Sequence, residues 1–195
     1  MSGAAPGRLD AGGLGDWLVG MRAALAGTRD ADVECGGCVA CCASSQFVPI
    51  GPDEVATLAR IPEALRFPAP GLAPGHVVLP YDARGRCPML TDAGCSIYED
   101  RPRTCRTYDC RVFAATGVSL DDPAKVAVAE QAARWHFTVT TDADRAARDG
   151  LRDAARRLVE DPDAVPADRR PRNATELAVA AVEALTAARR PPPAA

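Results

Sequence analysis

Residues 35–42 read Cys35-Gly36-Gly37-Cys38-Val39-Ala40-Cys41-Cys42, four thiols within eight residues at C-x2-C-x2-C-C spacing. A hydrophobic core has no use for that arrangement. A buried Cys behaves as a small apolar residue, and such residues are not set at two-residue intervals with glycines between them. Metal coordination does use it. Two residues between thiolates allow a tight turn that aims both sulfurs at one ion, and Gly36 and Gly37 remove the Cβ clashes of such a turn. In an extended backbone neighbouring side chains point to opposite sides. Cys41 and Cys42 are therefore expected to face different metals, or different edges of one cluster.

The other four cysteines lie downstream, in Cys87-Pro88-Met89-Leu90, Cys95-Ser96-Ile97-Tyr98-Glu99-Asp100-Arg101-Pro102, Cys105-Arg106 and Cys110-Arg111. Gly85 and Gly94 precede the first two and supply turns near the thiols. Pro102 suits the first turn of a helix that could carry Cys105 and Cys110. Five residues at 3.6 per turn leave these two roughly 140° apart. Either the helix breaks near Cys110 or the two serve different places.

Three chemistries fit eight thiols. They can form two tetrahedral zinc sites of four cysteines each. Cys35, Cys38 and Cys41 can instead hold three corners of an iron–sulfur cluster, with Cys87-Pro88 as the Cys-Pro ligand of ferredoxin-like spacing. A bridged multinuclear site could use most thiols together. Four thiolates on one divalent ion leave a charge of about -2. Arg101, Arg103, Arg106 and Arg111 could offset it through hydrogen bonds to sulfur; they could equally be surface arginines, or bind an anionic substrate. His76, in an apolar stretch, is expected to pack. His136 is expected to complement a helix dipole. Either could be a ligand in principle. Glu99 could offer an oxygen but reads better as a solvated acid at a helix start.

The run C-x2-C-x2-C-C, then C-P-x-L, then C-x-I-Y-E-x-R-P-x-x-C-R resembles the YkgJ-type cysteine-cluster family, a zinc- or iron-chelating domain. The likeness covers residues 35–111, with Ile97, Tyr98, Glu99, Arg101, Pro102 and Arg106 in place. The resemblance implies Cys35, Cys38, Cys41, Cys42, Cys87, Cys95 and Cys105 as ligands. Cys110 lies beyond the shared pattern and is out of phase with Cys105, so its replacement is expected to cost as little as a surface change. It is kept as the eighth candidate ligand. A flagellin lysine methylase is similar in containing such a cluster, which makes a redox or modifying enzyme the alternative. A radical S-adenosylmethionine motif, C-x3-C-x2-C, fails because position 45 is Ser45. No Ser–His–Asp set, P-loop or Rossmann fingerprint is present, and no catalytic residue is assigned.

The remaining chain sets the frame. It has 195 residues, 47% hydrophobic but only 5% aromatic, which predicts a globular protein with a thin core that a metal would help to staple. A net charge of -3 argues against general nucleic-acid binding. No apolar run approaches a membrane span. The N-terminus has no apolar signal region, so a cytoplasmic location is expected, where clustered cysteines mean metal rather than disulfides. Residues 1–13 read as a disordered tail. Leu14, Trp17, Leu18, Met21 and Leu25 form one helical stripe over 14–27. Residues 46–50 read as extended, 51–60 as a helix, 61–75 as a loop and 76–80 as a short strand. Helices follow over 123–137 and 142–160, then a linker over 161–172. A helix over 173–190 opens on an Asn173–Glu176 capping box, and 191–195 form a tail. The fold expected is mainly α with short β pieces, one small irregular domain over 14–160 organised around a cysteine-rich metal centre. The expected partner is a metal ion: zinc or iron, the latter alone or as an iron–sulfur cluster. A third possibility is an interaction module with a structural zinc.

Overall fold

The computed structural model describes residues 7–31, 33 and 37–188. It is a mainly helical chain with short strands, as expected. Strand β1 (Leu9–Gly13) leads directly into helix α1 (Leu14–Leu25). The cysteine loop contains one 3-10 turn, Cys41–Ala43. Then come β2 (Val48–Ile50), α2 (Val55–Arg60), β3 (Phe67–Pro68), β4 (Val77–Leu79), β5 (Leu90–Thr91) and β6 (Gly94–Cys95). Helices α3 (Arg103–Thr107), α4 (Arg111–Thr116) and α5 (Val126–Ala133) precede β7 (Trp135–Thr138). Helices α6 (Asp142–Glu160) and α7 (Ala174–Ala188) close the chain.

Two main cores divide the chain, and a small cluster of Ala154, Ala155 and Ala181 lies between the last two helices. The larger joins α1, α4, α5, α6 and α7 around Leu14, Trp17, Phe113, Val128, Leu151 and Val182. Low aromatic content is offset by close helix packing through alanines, Ala147, Ala154 and Ala181 among them. The smaller core is built from Val48, Ile50, Ile61, Leu79 and Ile97. Its frame is a three-stranded antiparallel sheet of order β2-β4-β3, with Val48 opposite Leu79 and Ile50 opposite Val77. Beside it β5 and β6 form a two-stranded hairpin that pairs Leu90 with Cys95.

Several expectations change. Residues 9–13 are not a tail but a strand, paired in parallel with β7 through Leu9–Trp135 and Asp10–His136. Residues 1–6 and 189–195 lie outside the described residues. The helix expected over 123–137 stops at Ala133. From Trp135 to Thr138 half-buried and exposed positions alternate, and this period of two lets Trp135 and Phe137 face the core from a strand. Leu25, the last residue of the α1 stripe, is 39% exposed, and Ala24 is buried instead. Helix α2 begins at Val55, later than expected, and its loop through residue 75 includes the short strand β3. Helix α7 is more than an appendage, for Ala178 and Val182 are wholly buried in the large core.

Candidate metal centre

The cysteine loop is held by its backbone. Ala43 N–H donates to Val39 and Ala40 carbonyls, and the buried Ser44 hydroxyl donates to Ala40 O at 2.7 Å. Ser45 then takes a left-handed conformation, φ +49°. Its N–H donates to Gly85 O at 2.8 Å. Gly85 is itself left-handed, and a Cβ there would stand 2.3 Å from Ser45 Oγ. Only glycine fits both the angle and the approach. Two residues on, Cys87 N–H donates to Cys42 O at 2.7 Å. The first cysteine group is thus laced to the second, with Cys42 beside Cys87.

Cys95 and Cys105 reach the same place by other routes. The β5–β6 hairpin carries Cys95, and Ser96 N–H donates to Met89 O at 2.9 Å, folding the hairpin back on the Cys87 turn. Helix α3 carries Cys105 and is tied to the sheet at its first turn. Glu54 accepts the N–H of Arg103 at 2.5 Å and that of Gly51 at 2.9 Å. Asp53 pairs with the Arg103 guanidinium, and Thr104 Oγ1 donates to Pro49 O at 2.9 Å. Cys87, Cys95 and Cys105 all pack on the smaller core. Burial pushes the Cys105 thiol up to about 12, and Cys42, Cys87 and Cys95 push it the same way, while Arg101 opposes them. Burial also raises Cys87, with Cys95 adding to it. Four thiols from three chain segments therefore share one low-dielectric neighbourhood.

Cys110 is elsewhere. Helix α3 ends at Tyr108, which is extended, and Cys110 caps a new helix, α4. The helix breaks and the two cysteines also serve different places, so both sequence alternatives hold at once. Cys110 is only 7% exposed, in the larger core, which overturns the expectation of a surface change there. The Trp135 indole N–H donates to its Sγ at 3.3 Å. Asp109, 4% exposed, accepts the Trp17 indole N–H at 2.7 Å and the Arg111 guanidinium at 2.8 Å. Cys41 packs against this core as well. Burial raises the Tyr108 hydroxyl strongly, and Cys41 and Cys110 both add to it. Cys41 and Cys42 do diverge. The reason is not an extended chain but a 3-10 turn, where successive residues point about 120° apart.

The seven described cysteines are thiols, with no disulfide among them. Cys38 is half-buried on the loop before Cys41, and the Cys35 expectation lies outside the described residues. Among the described residues no three His, Cys, Asp or Glu side chains stand together at metal-holding geometry. Electrostatic coupling between thiols reaches much farther than a metal–sulfur bond of about 2.3 Å. The thiols of the smaller core thus act on one another electrostatically without standing at metal-holding geometry. Arg106 pairs with Asp30 at 3.2 Å, and Arg101 lies 4.1 Å from the Tyr98 ring centre. Together with the pairs of Arg103 and Arg111, this commits all four arginines to carboxylate or aromatic neighbours. His76 is half-buried, with Nδ1 2.9 Å from Ala73 O, and His136 is exposed on a strand rather than at a helix end. Glu99 is exposed. Sequence reasoning missed Lys125, whose ammonium donates to Ser44 O at 2.6 Å and Ser45 O at 3.0 Å. Nothing in its local sequence marks a residue that secures a loop some eighty positions away.

Residues 34–125 match a family model, CxxCxxCC, described as "Putative zinc- or iron-chelating domain". This stretch is similar to that family's domain, and the description supports a metal ion as its partner. The match runs past residue 111 and takes in Lys125. Neither curated proteins nor solved structures compared with the chain gave a match. Among the described residues no helix is long and apolar enough to cross a membrane.

Proposed function

We propose that this chain binds zinc or iron through two separate groups of cysteine thiolates. The first is Cys87, Cys95 and Cys105 on the smaller core, with Cys42 bonded beside Cys87. The second is Cys41 and Cys110 on the larger core, completed along the loop by Cys38 and Cys35. The observation that carries the reading is the raised Cys105 thiol, lifted by burial and then by the same three cysteines. Four thiols in a buried setting oppose one another's ionisation, and a cation among them removes that opposition. The donor set is soft, four sulfurs without a carboxylate, which suits zinc or an iron–sulfur cluster rather than magnesium or calcium. Cys87 keeps company with Cys42 rather than Cys41. This counts against one cluster held by Cys35, Cys38, Cys41 and Cys87, and favours two four-thiol centres.

Metal analysis with an absorption spectrum of anaerobically purified protein tests this. About two ions per chain, spectrally silent, are expected for two zinc sites of four thiolates each. Visible charge-transfer bands would move the assignment to iron–sulfur chemistry. Protein without stoichiometric metal, carrying four disulfides after reducing preparation, would overturn the proposal.

A further inference from the structure

The molecule has a second feature that none of the thiols builds. A cleft of about 550 Å³ opens between α4, α5, β7 and α6, and no cysteine lines it. Its volume falls within the range of small-molecule sites, roughly 300–1,000 Å³. Phe113, Trp135, Phe137 and Val139 give it an apolar, aromatic floor. Its rim is cationic: Arg8, Arg148 and Arg152 border it with His136, against one carboxylate, Asp121. Arg148 is paired with Asp149 at 3.1 Å. Arg8 and Arg152 are exposed and make no ion pair among the described residues.

This rim stands out on a chain of net charge -3. On and beside the neighbouring helices several arginines are matched locally: Arg145 with Asp142, Arg156 with Asp153, Arg170 with Asp163 and Arg172 with Glu176. The strand pairing of β1 with β7 brings Arg8 to the cleft from the far end of the chain, while helix spacing puts Arg148 and Arg152 one turn apart on α6. Two guanidinium groups without carboxylates, over an aromatic floor, suit a planar anionic head on an apolar body.

We infer that this cleft binds a small organic anion, an aromatic or aliphatic body bearing a carboxylate or phosphate, with Arg8 and Arg152 holding the head group. The site is independent of the metal reading, so either can fail alone.

The test is isothermal titration of the purified full chain with phenyl phosphate, phenylacetate and benzyl alcohol, the last matching the body without the charge. Saturable one-to-one binding of at least one of the two anions is expected. Whichever binds more tightly identifies the head group, phosphate or carboxylate. Benzyl alcohol should bind at least about ten-fold more weakly, and Arg8→Met with Arg152→Met together should weaken the anion by about ten-fold or more. Trp135 fluorescence should change with the same saturation curve. Arg152→Gln alone serves if the double variant does not fold. Absence of saturable binding, equal affinity for benzyl alcohol, or unchanged affinity in the arginine variants would overturn the site.

Discussion

Cys105 and Cys110 are five residues apart and belong to different parts of the molecule. Cys105 packs on a core of five buried residues framed by strands of two and three residues. Cys110 is sunk in a helical core that draws on both ends of the chain. The divide lies at Tyr108 and Asp109. Helix α3 cannot continue because Tyr108 is extended, and Asp109 is pinned by Trp17 from α1 and Arg111 from α4. Truncating Asp109 would strand a buried indole N–H and a guanidinium that is 13% exposed. The two regions therefore differ in what they need. Among the described residues the helical core gathers fourteen buried residues and the smaller core only five. On the proposed reading the smaller core is therefore the one that leans on a metal joining its thiols.

The largest effect expected is from stripping metal. A ligand at about a thousand times its Kd contributes about 4 kcal/mol, and about 2–4 °C of Tm accompanies each kcal/mol in a chain of this size. A strong chelator should then lower Tm by roughly 8–16 °C. Hydrogen exchange sharpens the contrast: amides of Val77–Leu79 should lose protection on stripping, while those around Leu151 keep it. Equal loss in both regions would dissolve the distinction between a metal-dependent core and a self-sufficient one.

Cys105→Ser and Cys110→Ser compare the regions directly, with metal per chain as the measurement. Serine is a poor substitute for a soft thiolate. Each variant should lose about half of the bound metal, and the double variant nearly all of it. Complete loss in either single variant would merge the two groups into one centre. Full metal retained by Cys110→Ser would leave Cys110 as a packing residue.

How far the sequence foretold this differs between the regions. The α1 stripe up to Met21, the α6 boundaries and the Asn173–Glu176 cap follow from local rules, and they stand as read; Glu176 N–H does donate to Asn173 Oδ1 at 2.9 Å. The 140° offset of Cys105 and Cys110 left a helix break as one of two alternatives, and the chain does break there. What local rules cannot carry is contact between distant segments. The pairing of β1 with β7 joins residues over a hundred positions apart, so the start of the chain looked like a tail. Trp135 and Phe137 sit at the end of a helical pattern, and only their partner strand makes them a strand. The placing of Cys42 beside Cys87 rests on the Ser45–Gly85 and Cys42–Cys87 bonds, which leave no periodic trace.

Lys125→Met tests the loop that the two regions share. Its ammonium holds the Ser44 and Ser45 carbonyls just after Cys41 and Cys42. Hydrogen bonds from a charged donor contribute about 1.5–3 kcal/mol, so a Tm fall of roughly 3–12 °C is expected. Because the loop feeds both groups, the affinity for both metals should drop together. Weakening of the Cys110 group alone would mean that the Cys42 side is held by its Cys87 contact without the lysine.

The smallest effect isolates the character of the Cys110 sulfur. Trp135→Phe keeps an aromatic ring under Arg111, whose guanidinium carbon lies 5.9 Å from the ring centre, and removes the N–H that donates to Cys110 Sγ together with some ring packing, a loss common to loaded and stripped protein. A neutral hydrogen bond contributes about 1 kcal/mol, and one to a charged acceptor roughly twice that. If Cys110 is a thiolate ligand, the substitution should cost more in metal-loaded protein than in stripped protein, because the bond then has a charged acceptor only in the loaded form. If Cys110 is a packed thiol, the two costs should be equal and near the lower figure. Melting curves of both variants, loaded and stripped, give the four values required. A cost that does not change with metal would remove Cys110 from the ligand set and leave the smaller core as the site of a single centre.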